Sequence, residues 1–138
     1  MERTVLIDAG PLVAVLHKRD KHHAWASAQM AHHRGCYLTC EAVISESMHL
    51  LESVPRGIER LLALLERQEV RLAFDAADQL PAVLRLLRRY ADIPMSFADA
   101  CMVRMSESFT TATVFTTDED FRFYRRQSRN VIPLIAPW

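Results

Sequence analysis

Near its C-terminus the chain reads TVFTTDEDF over Thr113–Phe121, an apolar and β-branched run that ends in three consecutive acids. The first residues predict a buried strand, and the acids stand where that strand must stop. Like charges ~5 Å apart repel by about 3 kcal/mol per pair at an effective dielectric near ~20. Asp118, Glu119 and Asp120 therefore either point apart into water or share a positive partner.

Composition predicts one domain over residues 1–138, because the chain is half hydrophobic and carries no repeat or linker tract. Its 17 basic and 17 acidic residues cancel, so net charge identifies no partner. Only two of the basic residues are lysines, which leaves 17 − 2 = 15 arginines. This skew mildly favours a phosphate-bearing ligand, although GC-rich codon usage produces the same skew.

Cysteine usage and hydropathy indicate a compartment. The three cysteines lack a Cys-x-x-Cys pair, which favours reduced thiols in a cytoplasmic protein. No apolar run is long enough for a signal peptide or for crossing a bilayer, so we expect no membrane association.

Short β-branched runs alternate with longer stretches of helical period along the chain. This alternation predicts an α/β fold with a mostly parallel sheet of about five strands and helices on both faces. The predicted strands are Thr4–Ile7, Cys36–Thr39, Val70–Phe74, Thr113–Thr116 and Val131–Leu134. The predicted helices are Pro11–Leu16, His23–His32, Val43–Ser53, Ile58–Glu66, Gln79–Tyr90, Phe97–Ser106 and Glu119–Arg126, with Asp78 and Ser96 as expected N-caps.

Two acids follow predicted strands directly, Asp8 after the first and Asp118 after the fourth. In parallel sheets, ligands bind beyond the carboxyl ends of the strands, where the strand order reverses. A helix cap is the competing interpretation of each acid by itself. Two acids at equivalent strand ends favour a shared site.

Two more acids stand on predicted helices. Glu46 falls at the edge of the apolar face of its helix, where a solvated glutamate is the usual outcome. Asp99 is the third residue after Ser96 and fits a capping box, yet its neighbours are small or apolar, which is unusual for a merely solvated carboxylate.

Together these four carboxylates predict one acidic cleft. An all-oxygen cluster suits a hard divalent cation, Mg²⁺ or Mn²⁺, which offsets the repulsion among the acids. A carboxylate-held Mg²⁺ that keeps several waters commonly activates water against a phosphate ester. A group of arginines after the last acids could hold a polynucleotide backbone, and a solvated helical face explains them about equally well: Arg122, Arg125, Arg126 and Arg129.

Four stretches carry a family resemblance, in order over nearly the whole chain. They are VLIDAGPLVA at 5–14, the Glu46 helix with HLL at 49–51, PMSFADA at 94–100 and FTTDEDF at 115–121. Together they resemble PIN-domain proteins, and most closely the VapC-like toxin ribonucleases of prokaryotic toxin–antitoxin systems. The resemblance implies a three-layer α/β/α fold and an endoribonuclease that cleaves RNA with Mg²⁺ (or Mn²⁺).

The resemblance also implies roles for individual residues. Asp8, Asp99 and Asp118 match the metal-binding acids, and Glu46 matches the acid that holds or orients the metal and its water. Asp120 falls where family members vary and is treated as auxiliary, and Thr116 matches a hydroxyl position often found beside the site. Such proteins usually form homodimers, and a small antitoxin partner commonly blocks the site.

Two alternatives compete with this interpretation. Many family members carry Thr or Ser directly after the first acid, whereas this chain has Ala9, which favours a catalytically weak PIN module that binds protein or RNA. A phosphoacceptor domain also gathers acids at strand ends, but it requires a lysine after a late strand. Here Lys18 and Lys21 both come early.

Overall fold

Five short parallel strands form the central sheet in the computed structural model, which describes residues 4–33 and 35–138. They are β1 (Val5–Ile7), β2 (Tyr37–Thr39), β3 (Val70–Leu72), β4 (Thr113–Phe115) and β7 (Leu134–Ile135), in the order β3-β2-β1-β4-β7. Two further strands, β5 (Arg125–Arg126) and β6 (Asn130–Val131), pair with each other as a separate antiparallel hairpin.

Six helices cover the sheet, which gives the predicted three-layer α/β/α fold. They are α1 (Ala9–Leu16), α2 (His23–His32), α3 (Glu41–Leu50), α4 (Gly57–Glu66), α5 (Leu80–Arg89) and α6 (Phe97–Ser108). The predicted helices and strands are confirmed to within three residues at each end, apart from two elements in the C-terminal region. None of the helices in the described part of the chain is long and apolar enough to cross a membrane.

The predicted strand Val131–Leu134 is wrong as a single element. Val131 pairs with Arg125 in the hairpin, whereas Leu134 pairs with Val114 in the main sheet. Pro133 separates the two pairings because it has no N–H to donate to a ladder. Its carbonyl still accepts a hydrogen bond from the N–H of Val114 at 2.9 Å.

The predicted helix Glu119–Arg126 is also wrong, since only one 3-10 turn forms, over Glu119–Arg122. The backbone N–H of Arg125 donates to the hydroxyl of Tyr90 at 2.9 Å instead of to a helical carbonyl. Gln127 and Ser128 then adopt positive φ angles of 46° and 65°, which reverse the chain into β6. This tertiary bond and the turn together outweigh the helical propensity of the stretch.

One of the two predicted N-caps is confirmed. The hydroxyl of Ser96 accepts from the N–H of Asp99 at 3.0 Å, and the Asp99 carboxylate accepts from the N–H of Ser96 at 2.9 Å. Asp78 is not a cap, because α5 begins one residue later with Gln79 at the N-cap position. Pro81 stands in the first turn of α5, where the missing N–H of proline removes one unpaired donor.

The strand order reverses between β1 and β4. The chain runs from β1 outward to β2 and β3 and then returns to place β4 on the other side of β1. Both central strands are fully buried, and Phe115 in β4 packs edge-to-face on Trp25 with ring centroids 5.5 Å apart. The crevice beyond the carboxyl ends of β1 and β4 is therefore the place where the fold presents a ligand site.

Arg126 ties the hairpin to the segment that leads into β4. Its side chain is 8% exposed, and its guanidinium donates to the carbonyls of Thr110 at 2.8 Å and Ala112 at 2.6 Å. Burial of the guanidinium lowers the pKa of Arg126, and the carboxylate of Glu107 opposes this effect. The side chain is committed to internal contacts.

We expect Arg126→Leu to lower the free energy of unfolding by about 2–4 kcal/mol, because two carbonyls lose a charged donor. The matched control Arg125→Gln removes the neighbouring and more exposed guanidinium and should cost under about 1 kcal/mol. Urea unfolding followed by circular dichroism measures both values. Equal stability of the two variants would contradict the structural role of Arg126.

Candidate functional site

Asp8 lies at the carboxyl end of β1 and is also the N-cap of α1. Its backbone N–H donates to the carbonyl of Phe115 at 3.0 Å, which continues the pairing of β1 with β4 by one residue. The side chain is 5% exposed, and Oδ1 accepts from the N–H of Ala9 at 2.9 Å. The cap interpretation and the site interpretation of this acid are therefore compatible.

The buried hydroxyl of Thr116 joins the ends of the two central strands. It donates to Oδ2 of Asp8 at 2.7 Å and accepts from the backbone N–H of Asp118 at 3.0 Å. The N–H of Thr116 itself donates to the carbonyl of Ile135 in β7 at 3.1 Å. One side chain thus orients the Asp8 carboxylate and positions the acidic loop after β4.

The acidic loop, Asp118 to Asp120 after β4, keeps the carboxylates of Asp118 and Asp120 partly buried. Oδ1 of half-buried Asp118 accepts from the N–H of Asp120 at 2.9 Å. Burial raises the pKa of Asp118, the N–H of Asp120 lowers it, and the carboxylates of Asp120 and Glu119 raise it again. Glu119 is the exposed member and lies 3.6 Å from the guanidinium of Arg122.

Asp99 approaches the same crevice from the first turn of α6. Burial raises the pKa of its carboxyl, the N–H of Ser96 lowers it, and the carboxylates of Asp118 and Glu46 raise it. Glu46 itself is exposed on α3. The charges of α3 and of the loop after β4 therefore both act on a carboxyl group in the first turn of α6.

The pKa of Asp8 is raised to about 7, mainly because burial removes the carboxylate from water. The hydrogen bond from Thr116 lowers this pKa, whereas the charge of Asp99 and, more weakly, that of Glu46 raise it. Asp8, Glu46, Asp99 and Asp118 are thus brought to one edge of the sheet, as neighbours in a common electrostatic field.

The donor set fits a hard divalent cation by its chemistry. All four candidate ligands offer carboxylate oxygens. The positive charge of an ion would offset the burial and the neighbouring negative charges that raise the pKa values of Asp8, Asp99 and Asp118. Within residues 4–33 and 35–138, however, no three His, Cys, Asp or Glu side chains are already grouped to hold an ion. Asp99 and Asp118 each bond a backbone N–H through one carboxylate oxygen in this conformation, so only binding of an ion through both oxygens would require the carboxylates to turn.

Tyr124 is a site residue that the sequence did not reveal. It is fully buried, and its hydroxyl donates to the carbonyl of Pro94, just before the Ser96 cap. Burial raises its pKa, and the carboxylates of Asp99 and Asp118 are the next largest causes. The spacing of two aromatic residues three apart, Phe121 and Tyr124, was the available signal, and their rings pack edge-to-face at 5.1 Å.

Gly10 is the second residue that sequence reasoning missed. A Cβ added at this position would lie 2.1 Å from Oγ1 of Thr117, so α1 and the acidic loop approach too closely for any side chain. The glycine directly after Asp8-Ala9 was the signal. It allows Thr117 to pack beside the first turn of α1 and keeps the two strand ends together.

The arginines predicted to bind RNA occupy different environments. Arg122 is exposed, and its guanidinium lies 5.7 Å from the ring of Trp138. Arg125 is half-buried and donates to the carbonyls of Arg122 at 2.7 Å and Tyr124 at 3.0 Å. The buried guanidinium of Arg126 cannot reach an RNA backbone, which corrects the expectation for this residue.

We expect the metal-free protein to lose stability as the pH rises from about 4 through 7. At low pH, Asp8 is protonated in both the folded and unfolded states, and at high pH the folded state must accept a buried charge. A pKa near 7 in place of 3.8 corresponds to a loss of about 4 kcal/mol. Urea unfolding in EDTA measures this slope, and Asp8→Asn should remove most of it. A wild-type slope that Asp8→Asn leaves intact would contradict the assignment.

We expect Thr116→Val to lower the unfolding free energy by about 1–3 kcal/mol, because the Asp8 carboxylate and the N–H of Asp118 both lose their partner. The loss should be larger at pH 8 than at pH 5, since the hydroxyl stabilises the charged form of Asp8. Thr116→Ser keeps the hydroxyl and is the matched control. A loss in Thr116→Ser as large as that in Thr116→Val, or a Thr116→Val loss that does not change with pH, would contradict the role of the hydroxyl bridge.

Comparisons with known proteins agree with this geometry. The family model for the PIN domain matches residues 5–127. Among solved structures, the fold is similar to that of VapC20 from Mycobacterium tuberculosis, with a TM-score of 0.76 at 20% sequence identity, over 85% of this chain and 92% of the other. A comparison with curated protein sequences gives no match. The match over residues 5–127 shows that the chain belongs to the PIN domain family.

Proposed function

We propose that the protein is a metal-dependent endoribonuclease of the VapC-like toxin type, which hydrolyses phosphodiester bonds in RNA. The observation that carries the proposal is the buried Asp8 carboxylate, which is tied to the loop of Asp118 and lies in the field of Asp99 and Glu46. VapC20, whose fold is similar, is described as a sarcin–ricin loop cleaving toxin. This likeness supports RNA as the substrate class.

In the proposed mechanism, Asp8, Asp99 and Asp118 would hold Mg²⁺ (or Mn²⁺), and Glu46 on α3 would hold or orient the ion and its water. When bound, the ion would activate that water and stabilise charge on the phosphate. Asp120 would act as an auxiliary acid beside Asp118. The sequence places no basic side chain as an obvious general base, so most of the activation would come from the ion.

Thr116 is the positioning residue of this mechanism. Its hydroxyl donates to Oδ2 of Asp8, and the backbone N–H of Ala9 donates to Oδ1. These two hydrogen bonds orient both oxygens of the carboxylate. Ala9 contributes only its backbone N–H. The orientation of the Asp8 side chain therefore depends on the hydroxyl of Thr116 and on no side chain at position 9.

The proposal extends to partners. A homodimer and a small antitoxin that covers the acidic crevice are the assemblies that a VapC-like toxin implies. Exposed leucines on α4 and α5, Leu62, Leu80 and Leu84, offer apolar surface for such contacts.

We expect purified protein to cleave structured RNA in Mg²⁺ or Mn²⁺ and to leave 5′-phosphate and 3′-hydroxyl ends. EDTA should abolish cleavage, and Asp99→Asn should lower the rate by at least about 100-fold, because a charged donor to the ion is lost. Asp78→Asn is the matched control, since Asp78 is exposed and bonds only the Gln79 side chain. Gel analysis and sequencing of the RNA ends measure the outcome.

Cleavage that persists in both EDTA and Asp99→Asn would refute the mechanism. A folded, Mg²⁺-supplied protein that binds RNA without cutting it would instead favour the catalytically weak PIN module. Two observations motivate that second candidate: Ala9 after the first acid, and carboxylates that are not grouped for an ion in the described residues.

A further inference from the structure

A second polar groove lies between α5, α6 and the turn of the β5–β6 hairpin. Its volume is about 640 Å³, and four arginines line it: Arg85, Arg88, Arg89 and Arg104. Glu107 is the acidic residue in its wall, so the formal charge of the lining is 4 − 1 = +3. The neutral overall charge of the chain thus conceals a concentrated positive surface.

The single carboxylate in this groove is already committed. One oxygen of Glu107 accepts from Arg104 at 3.1 Å, and the other accepts from the backbone N–H of Gln127 at 2.6 Å. Arg104 is held further by the side chain of Gln79 at 2.8 Å. These contacts hold Arg104 and Glu107 in place. The other three arginines, Arg85, Arg88 and Arg89, have no further acidic side chain in the lining of the groove to neutralise them.

Arg85 and Arg88 are exposed on α5. Neither guanidinium group forms a hydrogen bond or an ion pair with a residue that the structure describes. Arg89 is exposed as well and makes one long hydrogen bond, from its guanidinium to the carbonyl of Ser128 at 3.5 Å. Guanidinium groups present a planar fork that matches phosphate oxygens. The groove therefore offers two free forks, at Arg85 and Arg88, and a third, at Arg89, that is held by one long hydrogen bond.

An acidic crevice needs such a surface to retain RNA, because its own carboxylates repel a phosphate backbone. The arginines nearer the crevice provide little of it: Arg126 is buried, Arg125 bonds carbonyls, and Arg122 faces Glu119 and Trp138. Arg85, Arg88 and Arg89 in the groove supply further exposed positive charge.

The groove and the acidic crevice are connected through packed aromatic rings. Arg89 lies over the ring of Tyr90 at 5.7 Å, and Tyr90 packs edge-to-face on Tyr124 at 5.2 Å. The hydroxyl of Tyr124 then reaches the carbonyl of Pro94, beside the loop that carries Ser96. Both tyrosines are buried, so these contacts hold the groove in place relative to the loop that carries Ser96 and are not themselves a surface for RNA.

We propose that this groove binds the phosphate backbone of the RNA substrate outside the cleavage site, through Arg85, Arg88 and Arg89. The inference rests on the proposed function and extends it to a second contact region. The net positive lining and the exposed guanidinium forks match the phosphate oxygens that repeat along an RNA backbone, which favours RNA over an acidic segment of a protein partner.

The test is fluorescence anisotropy of a labelled structured RNA with full-length protein that carries Asp99→Asn to prevent cleavage, across a KCl series. Adding Arg85→Gln and Arg88→Gln removes two phosphate contacts. We expect affinity at 100 mM KCl to fall about 10- to 30-fold and the slope of log affinity against log salt to fall by about 1.4. The matched control, Arg67→Gln with Arg71→Gln, removes two exposed arginines from α4 and β3 and should stay within about twofold.

Unchanged affinity in the groove variant, or an equal loss in the control, would overturn the inference. Tighter binding of a decaglutamate peptide than of RNA, lost in the groove variant, would assign the groove to a protein partner and overturn it as well. The anisotropy assay requires no cleavage, so groove-dependent binding by a protein that cuts no RNA would refute the nuclease proposal alone. Circular dichroism melting checks that each variant is folded.

Discussion

The constraint on which the structure depends is the burial of the Asp8 carboxylate between the ends of the two central strands. The backbone N–H of Asp8 extends the β1–β4 pairing, and its carboxylate caps α1 and accepts a hydrogen bond from the Thr116 hydroxyl. Turning the carboxylate toward water would break its bonds to Ala9 and Thr116. Its desolvation is compounded by the nearby charges of Asp99 and Glu46, which is why its pKa rises to about 7. The buried charge lowers the free energy of unfolding at the point where the fold presents its ligand site.

This arrangement also explains the three acids that follow β4. Asp118 remains with the buried group because Thr116 accepts its N–H, Asp120 is held by the Asp118 side chain, and Glu119 alone turns outward toward Arg122. Negative charge therefore accumulates at the crevice, whereas free positive charge accumulates at α5, on the far side of the Tyr90–Tyr124 pair. A polyanionic substrate would need both regions: one to concentrate a divalent ion and the other to hold the backbone.

Much of this organisation could be predicted from the sequence because it depends on local patterns. The alternation of β-branched and helical stretches predicted the parallel sheet, and the Ser96–Asp99 spacing predicted the capping box that the structure contains. The errors arose where tertiary contacts override the local pattern. Glu119–Arg126 has the composition of a helix, but the hydroxyl of Tyr90, distant in sequence, binds the N–H of Arg125. Arg126 has the sequence setting of a surface cation, yet its guanidinium donates to the carbonyls of Thr110 and Ala112. For Tyr124 the only sequence signal is its spacing from Phe121, which does not indicate the bond of its hydroxyl to the carbonyl of Pro94.

The most direct test of the central claim is an anomalous-scattering measurement on crystals soaked in Mn²⁺. If the carboxylates at the ends of β1 and β4 and at the start of α6 form one cation site, a single strong peak should lie among Asp8, Asp99 and Asp118, with Asp99 and Asp118 turned toward it. A crystal that shows no peak there, or shows Mn²⁺ only at isolated surface acids such as Asp75 and Asp78, would contradict the account.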